Sequence, residues 1–333
     1  MRPIVRVVDT LTGPARLQVL IFHRVLPEAD RVYPGQPDAR TFERILGNLK
    51  RMYRVLPLGD ALDRLREGRL QHGCAALTFD DGYADNFRVA LPLLKKHDVP
   101  ATIYVATRYL DGGIMFNDII WEACRSTPLE SVDLDLVGLG HRQLATSAQR
   151  RQCASDVIMA IEYLGLEERD RRAHAVASLL RAVLPTDLMM TSEEVANLPG
   201  ELITVGAHTH SHPILTRLPD HAAAQDIDLG RQRLQAITGQ PVEHFAYPNG
   251  KPGDDYDARH VAMIKNQSFK SAVSTVSGVH VGTGDFFQIP RYTPWRVDGL
   301  RFGMMMLRNS FDRFAGTLGA GQVVGNQVIG RVP

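Results

Sequence analysis

The chain has 333 residues, of which 44% are hydrophobic and 23% are charged, and its formal net charge is +1. This length fits one large α/β domain or two medium ones, and the even charge balance lacks the basic surplus of a nucleic-acid-binding protein. The three cysteines are odd in number and have no CxxC spacing, which argues against a disulfide framework.

The N-terminal residues carry charges but no continuous apolar run, so we expect no export signal and a cytoplasmic location. No window approaches the roughly 18 apolar residues of a membrane-spanning helix. Peripheral contact with a membrane through the Met- and Phe-rich stretch 302–314 stays open.

Apolar runs and helical periodicities alternate along the first third of the chain. Short runs of apolar and branched residues predict strands at 17–22, 75–79 and 101–105. Apolar residues at helical spacing predict helices at 41–53, 61–67 and 86–97. This alternation indicates parallel βαβ units.

Residues 111–190 interrupt the alternation. Apolar residues alternate at 132–136 as in a short hairpin strand, and helices are predicted at 149–164 and 169–184. We interpret this stretch as an insertion between barrel strands, packed as a lid or a side layer.

The alternation resumes after the insertion. Strands are predicted at 202–206, 244–247, 271–275 and 287–291. Helices are predicted at 222–237, with Gly239 as its C-cap, and at 256–266 and 300–314. We therefore expect one domain over residues 1–315 and a loosely held tail at 316–333.

The first chemistry-bearing motif is Thr-Phe-Asp-Asp-Gly-Tyr at 78–83, directly after a predicted strand. Gly82 permits an unusual turn, so both Asp80 and Asp81 can face one pocket. Two carboxylates that close repel each other, which favours one bound to a cation and the other left as a base.

The second motif places three histidines within five residues after the strand at 202–206. If this segment forms a helical turn, His208 and His212 lie on the same face and His210 points away. Two imidazoles and one carboxylate suit zinc or a similar divalent metal and leave a position open for water or substrate. With a second carboxylate as base, such a site suits hydrolysis of an amide or an ester.

Together the two motifs resemble those of the polysaccharide deacetylase family, the family 4 carbohydrate esterases. The resemblance implies that Asp80 is the general base and that Asp81, His208 and His212 bind the metal. Zn²⁺ is the expected ion, with Co²⁺, Ni²⁺ or Mn²⁺ as alternatives. The resemblance also implies an irregular (β/α) barrel of about seven parallel strands, with the active site at their C-terminal ends.

The third family motif, Arg-Pro-Pro-Tyr-Gly, is altered here to Ala-Tyr-Pro-Asn-Gly at 246–250. The resemblance gives Asn249 the role of donating its backbone N–H to the oxyanion. Ala246 stands where the family has an arginine that pairs with the base. Arg291, after the predicted strand at 287–291, is the candidate replacement.

The family's C-terminal histidine, which acts as general acid, has no counterpart in the tail. The segment Leu-Ile-Phe-His-Arg-Val at 20–25 resembles the start of the permuted poly-N-acetylglucosamine deacetylases, which implies that His23 is the acid. His280 is a weaker competitor for this role.

Tyr83, Tyr247 and Trp295 lie near the motifs and are candidates for stacking on a sugar, although core packing explains each of them equally well. Trp121 would reach the site only if the insertion folds over it as a lid.

These residues predict a metal-dependent hydrolase that removes acetyl groups from an N-acetylated sugar or glycan precursor. Two alternatives stay open: a hydrolase of another small amide on the same fold, and a carbohydrate-binding relative without catalysis.

Overall fold

The computed structural model describes residue 10 and residues 13–294 and 298–311. Its strands, in chain order, are β1 (Arg16–Phe22), β2 (Arg54–Val55), β3 (Cys74–Phe79), β4 (Ala101–Val105), β5 (Ser131–Asp133), β6 (His141–Gln143), β7 (Ile203–Ala207), β8 (His244–Ala246), β9 (Ser271–Val273) and β10 (His280–Val281). The predicted tail at 316–333 lies outside the described residues.

Eight of these strands form one curled sheet in the order β10-β1-β3-β4-β7-β8-β9, with β2 alongside β3. All pairings in this sheet are parallel except that of β10 with β1. The central strands are buried along their whole length, as expected for parallel strands covered on both faces. The predicted α/β barrel fold is confirmed, with β10 as an antiparallel addition.

The segment 286–292 joins the two sides of the curled sheet. The N–H of Ile289 donates to the carbonyl of Ala272 in β9, and the N–H of Tyr292 donates to the carbonyl of Val19 in β1. The strand predicted at 287–291 is therefore a bridging segment, and it carries Arg291 into the barrel.

The α-helices of the described residues surround this sheet or belong to the insertion. They are α1 (Ala39–Met52), α2 (Leu58–Arg66), α3 (Leu91–His97), α4 (Phe116–Ser126), α5 (Ser147–Ile161), α6 (Leu166–Leu179), α7 (Ser192–Ala196), α8 (Asp220–Thr238), α9 (Ala258–Asn266) and α10 (Gly299–Phe311). Within the described ranges, none of them combines the length and apolar character needed to cross a bilayer.

Helix ends follow local sequence signals. Asp38 caps α1 by accepting from the N–H of Thr41, and Gly239 ends α8 in the left-handed conformation as predicted. The helix predicted at 86–97 differs from expectation, because a π-helical turn at Asn86–Ala90 precedes α3.

The insertion has a hydrophobic core of its own. Helices α4, α5 and α6 and the β5–β6 hairpin bury a separate apolar cluster, which includes Ile120, Val157 and Ile161. Cys124 and Cys153 are also buried there, without a disulfide. The barrel core is a different cluster, centred on strands such as β3 and β4.

Candidate metal and catalytic site

The sequence motifs converge because parallel strands end at the same edge of the sheet. Phe22 of β1 is in register with Phe79 of β3, so His23 and Asp80 follow neighbouring strand ends. Ala207 of β7 is in register with Val105 of β4, which places His208 at the same edge.

A tight turn aims the second aspartate of the first motif into the site. Asp81 and Gly82 both have positive φ, 78° and 89°. A Cβ at position 82 would come within 2.9 Å of the Val105 side chain, so only glycine fits. The turn reverses the usual alternation of side chains after a strand and brings both carboxylates to one side.

The imidazole of His208 is oriented by the neighbouring strand. Its Nδ1 lies 2.8 Å from the carbonyl oxygen of Ala246, and a carbonyl only accepts, so Nδ1 carries the proton. In the neutral imidazole Nε2 is then the nitrogen with a free lone pair, and it lies 3.3 Å from Oδ1 of Asp81. A hydrogen bond from Nδ1 to a backbone carbonyl, as His208 makes with Ala246, is typical of histidines that bind a metal through Nε2.

The segment 208–212 does not form the helical turn that would place His208 and His212 on one face. Thr209 and His212 both have positive φ, so the segment is a loop. Asp226 of α8 holds it by accepting from the N–H groups of His210 and Ser211 at 2.9 and 3.0 Å. His212 nevertheless reaches the same site, with Nε2 3.5 Å from Oδ1 of Asp81.

Asp81, His208 and His212 form a group whose potential ligand atoms all lie within 4.8 Å of one another. Oδ1 of Asp81 is buried and makes no hydrogen bond to the described residues. An orphaned buried carboxylate oxygen facing two imidazole nitrogens is unfavourable unless a cation neutralises it. The three residues therefore fit a divalent metal.

The charges of this group agree with that fit. Burial lowers the pKa of His212 to about 3, so its imidazole is neutral and able to bind a metal. Burial opposes ionisation of Asp81, but the adjacent histidines hold its pKa well below the usual range.

Asp80 is paired with Arg291, as expected if Arg291 replaces the family arginine that is absent at position 246. The guanidinium donates to both carboxylate oxygens at 2.6 Å, and both side chains are almost wholly buried. Arg291 also donates to the carbonyl of Ser274 and to the hydroxyl of Thr78. Burial would raise the pKa of Asp80, but Arg291 holds it below the ordinary value.

His23 lies at the rim of the same site. It is half-buried and lies within electrostatic range of both Asp80 and Asp81. Asn86 donates from Nδ2 to the His23 carbonyl at 2.8 Å, which fixes the backbone there. His280 instead pairs with Leu17 at the opposite end of β1, which removes it as a competitor.

Asn249 lies in the loop after β8 with a φ of 56°. Its carbonyl accepts from the hydroxyl of Thr275 at 2.6 Å, whereas its N–H has no acceptor within the described part of the chain. The residue as a whole is exposed.

The two tyrosine candidates, Tyr83 and Tyr247, are not exposed stacking surfaces. Tyr247 is fully buried, stacks on Tyr256 at 3.7 Å and donates its hydroxyl to the carbonyl of Phe287. Tyr83 is also buried, and its hydroxyl donates to Asp118. The structure thus gives both tyrosines a packing role. Trp295 lies outside the described residues.

The insertion contacts the loops at this end of the barrel. The sequence did not decide whether it packs there or against the side of the barrel. Arg125 of α4 pairs with Asp30 after β1 at 2.6 Å, and Asp170 of α6 pairs with Arg108 after β4 at 3.5 Å. Trp121 stacks on Tyr33 from the loop after β1, with ring centroids 4.4 Å apart.

Several residues of the site carried no signal in the sequence. Asp118 is buried in α4, and burial raises its pKa to about 7. Asp85 accepts from Nε of Arg24 and from the N–H of Val25, and so holds the chain after His23. Such positioning residues belong to no motif, because only the fold brings them to the site.

The site combines a potential metal triad, an ionised buried carboxylate and an N–H donor at one edge of the barrel. This arrangement can activate water next to a polarised carbonyl, and it is suited to the hydrolysis of an amide or an ester.

Comparison with known proteins identifies relatives of this arrangement. A family model for polysaccharide deacetylase matches residues 67–164 and 183–270, more than half of the chain. YxkH of Bacillus subtilis, whose name places it among the polysaccharide deacetylases, is 30% identical over 93 residues. That match covers 28% of this chain and 32% of YxkH, so only about a third of the length of that relative is spanned.

Solved structures share the fold. The deacetylase PplD of Streptococcus pyogenes, solved in complex with acetate, superposes with a TM-score of 0.54 at 15% identity, covering 87% of this chain and 98% of PplD. IcaB of Ammonifex degensii gives 0.57 at 19% identity, covering 88% and 97%. The de-N-acetylase of Aggregatibacter actinomycetemcomitans gives 0.53 at 14% identity, covering 83% and 94%.

Proposed function

The chain belongs to the polysaccharide deacetylase family, and from this premise we propose that it is a metal-dependent hydrolase that removes acetyl groups from an N-acetylated sugar. The observation that carries the proposal is the pair of adjacent aspartates in two different environments. Asp81 faces His208 and His212, whereas Asp80 is held by Arg291. A protein that only binds sugar has no need of a buried, ionised carboxylate beside a metal triad.

Asp81, His208 and His212 would hold the metal, and Zn²⁺ is the ion that two imidazoles and one carboxylate favour, with Co²⁺, Ni²⁺ or Mn²⁺ as alternatives. A divalent cation there supplies Lewis acidity toward the amide carbonyl and lowers the pKa of water.

Asp80 acts as the general base in this proposal. Its depressed pKa keeps it ionised at neutral pH, and each carboxylate oxygen retains a lone pair after accepting from Arg291. It accepts the proton of the attacking water, and Arg291 fixes the direction from which it does so.

His23 and Asn249 complete the assignment. His23 donates a proton to the departing amine nitrogen from the rim of the site. The free N–H of Asn249 donates to the oxyanion that develops from the acetyl carbonyl.

The test is acetate release from N-acetylglucosamine oligomers by the purified chain, after metal removal and after addition of Zn²⁺ or Co²⁺. We expect acetate only in the presence of metal. Asp80→Asn should lower the rate by about 10³-fold while leaving metal content unchanged. Asp60→Asn, at an exposed position of α2, is the matched control and should keep full activity. Unchanged acetate release by Asp80→Asn would rule out its role as base.

A further inference from the structure

The turn that presents Asp81 is conformationally unfavourable. Asp81 and Gly82 adopt positive φ in succession, and a residue other than glycine in this region is strained and persists only where its surroundings hold it. Since Asp81 faces both histidines, any relaxation of this turn would move its carboxylate away from them.

The barrel holds the turn through two backbone hydrogen bonds. The N–H of Asp80 donates to the carbonyl of Phe22 at 2.9 Å, and the N–H of Ala106 donates to the carbonyl of Asp81 at 3.2 Å. These bonds fix the residues up to Asp81 but not those that follow.

The end of the insertion holds the following residues. The N–H of Met190 donates to the carbonyl of Gly82 at 3.0 Å, and the N–H of Ala84 donates to the carbonyl of Leu188 at 2.9 Å. Tyr83 and Met189 form an antiparallel bridge between these bonds.

The start of the insertion contributes a side chain to the same turn. The hydroxyl of Tyr83 lies 3.0 and 3.1 Å from the two oxygens of Asp118 in α4. Both residues are buried, and the neighbours Ile119 and Ile120 anchor this part of α4 in the insertion core.

A carboxylate is energetically unfavourable at position 118, because the side chain is buried. A hydroxyl carries one hydrogen, so Tyr83 satisfies only one of the two carboxylate oxygens at a time. A buried carboxylate with one donor is disfavoured relative to an apolar side chain of similar size. The positive charge of Arg24 offsets this penalty only in part, since burial still raises the pKa of Asp118. The hydroxyl that Asp118 accepts from belongs to the turn that carries the metal ligand Asp81.

We propose that Asp118 is a positioning residue that, through the hydroxyl of Tyr83, fixes the turn at 81–83 and aims Asp81 at His208 and His212. The inference rests on the proposed function in that it concerns the same metal triad. The proposal gives the insertion a role that the two sequence motifs do not indicate. Helix α4 and residues 188–190 of the insertion hold the turn that carries the metal ligand Asp81.

Three substitutions separate positioning from charge. Asp118→Ala removes the acceptor, Tyr83→Phe removes only the donor hydroxyl and keeps the ring, and Asp118→Asn keeps an oxygen acceptor but removes the charge. Thr127→Val is the matched control, because it removes a buried hydroxyl of the insertion that donates to Leu180 away from the site. Thermal unfolding of each metal-free variant establishes that it is folded.

The measurement is Zn²⁺ affinity, obtained by competition with a chromophoric chelator. We expect Asp118→Ala and Tyr83→Phe each to weaken Zn²⁺ binding by about 10- to 100-fold, as loss of an outer support of a metal ligand does. The double variant should be no weaker than either single one, since both remove the same bond. Asp118→Asn and Thr127→Val should stay within about threefold of the parent chain.

Two results would overturn the proposal. One is parental Zn²⁺ affinity in folded Tyr83→Phe and Asp118→Ala. The other is an Asp118→Asn variant as weak as Asp118→Ala, which would assign the effect to charge instead of to the hydrogen bond. If the parent chain itself binds no Zn²⁺, Co²⁺, Ni²⁺ or Mn²⁺, the proposed function fails instead, so the two failures are distinguishable.

Discussion

In the barrel, strand register places His23, Asp80 and His208, which directly follow β1, β3 and β7. In the insertion, no residue belongs to the metal triad, but Asp118 and Met190 hold the turn that carries Asp81. The barrel therefore supplies the reacting groups, whereas the insertion supports them from outside. The difference shows that a segment interrupting the strand-helix alternation can be part of the site without contributing a motif.

The largest effect should come from the buried ion pair of the barrel. Arg291→Met leaves Asp80 buried and unpaired, which should lower the free energy of unfolding by about 3–5 kcal/mol near neutral pH. Arg291 depresses the pKa of Asp80, so the stability it contributes is present above the ordinary aspartate pKa and is lost as pH falls through the depressed value. Urea unfolding at a series of pH values should show the gap between parent and variant narrowing toward about pH 4 and below.

Arg88→Met is the control for that pair, because Arg88 is half-exposed in its ion pair with Glu194. It should change the free energy of unfolding by less than about 1 kcal/mol. A pH-independent gap for Arg291→Met would contradict the assignment of its effect to Asp80.

The two hydrophobic cores can be compared with one matched substitution in each. Ile103 of β4 and Ile161 of α5 are both fully buried, so replacing either with alanine should cost about 2–5 kcal/mol. Hydrogen exchange should locate the loss. Ile161→Ala should speed exchange in the insertion while the barrel strands keep their protection. Uniformly faster exchange in both variants would show that the cores unfold as one unit.

Asp226 of the barrel supports the loop that carries His212, as Asp118 of the insertion supports the turn that carries Asp81. Asp226→Ala removes the carboxylate that accepts from the N–H groups of His210 and Ser211 and leaves only the backbone carbonyl of residue 226, which accepts from His210. It should weaken Zn²⁺ binding by about 10- to 100-fold. Asp228→Ala, on the same helix and bonded to Gln232, should leave Zn²⁺ affinity unchanged. Equal affinities for the two variants would show that the loop holds its shape without Asp226.

The smallest effects should come from the helix caps. Thr146 caps α5 of the insertion and Asp257 caps α9 of the barrel, each through a capping box. Replacing either with alanine should lower the free energy of unfolding by about 1 kcal/mol in thermal or urea unfolding. A loss well above that value for Thr146→Ala alone would show that the insertion depends on α5 more than the barrel depends on α9.

Residue patterns were enough to predict parallel βαβ units and the edge at which the site lies, whereas the barrel was implied by the family resemblance. Buried strands read as apolar runs, and the residues directly after them are chemically distinct, so Asp80, Asp81 and His208 could be assigned to one edge. This succeeds because parallel strands bring their C-terminal ends together whatever the details of packing. The local conformation around His212 was not predictable in the same way, since Asp226 from a distant helix holds that loop.

Which residues support the reacting groups depends on how distant parts of the chain pack together. Arg291 meets Asp80 across 211 positions of sequence because the segment 286–292 bridges β9 and β1. Tyr83 and Tyr247 prove to be buried, and Asp118 reaches the site from the insertion. A sequence pattern records which face of a helix or strand is apolar, but the partner of a buried polar group depends on how distant elements pack.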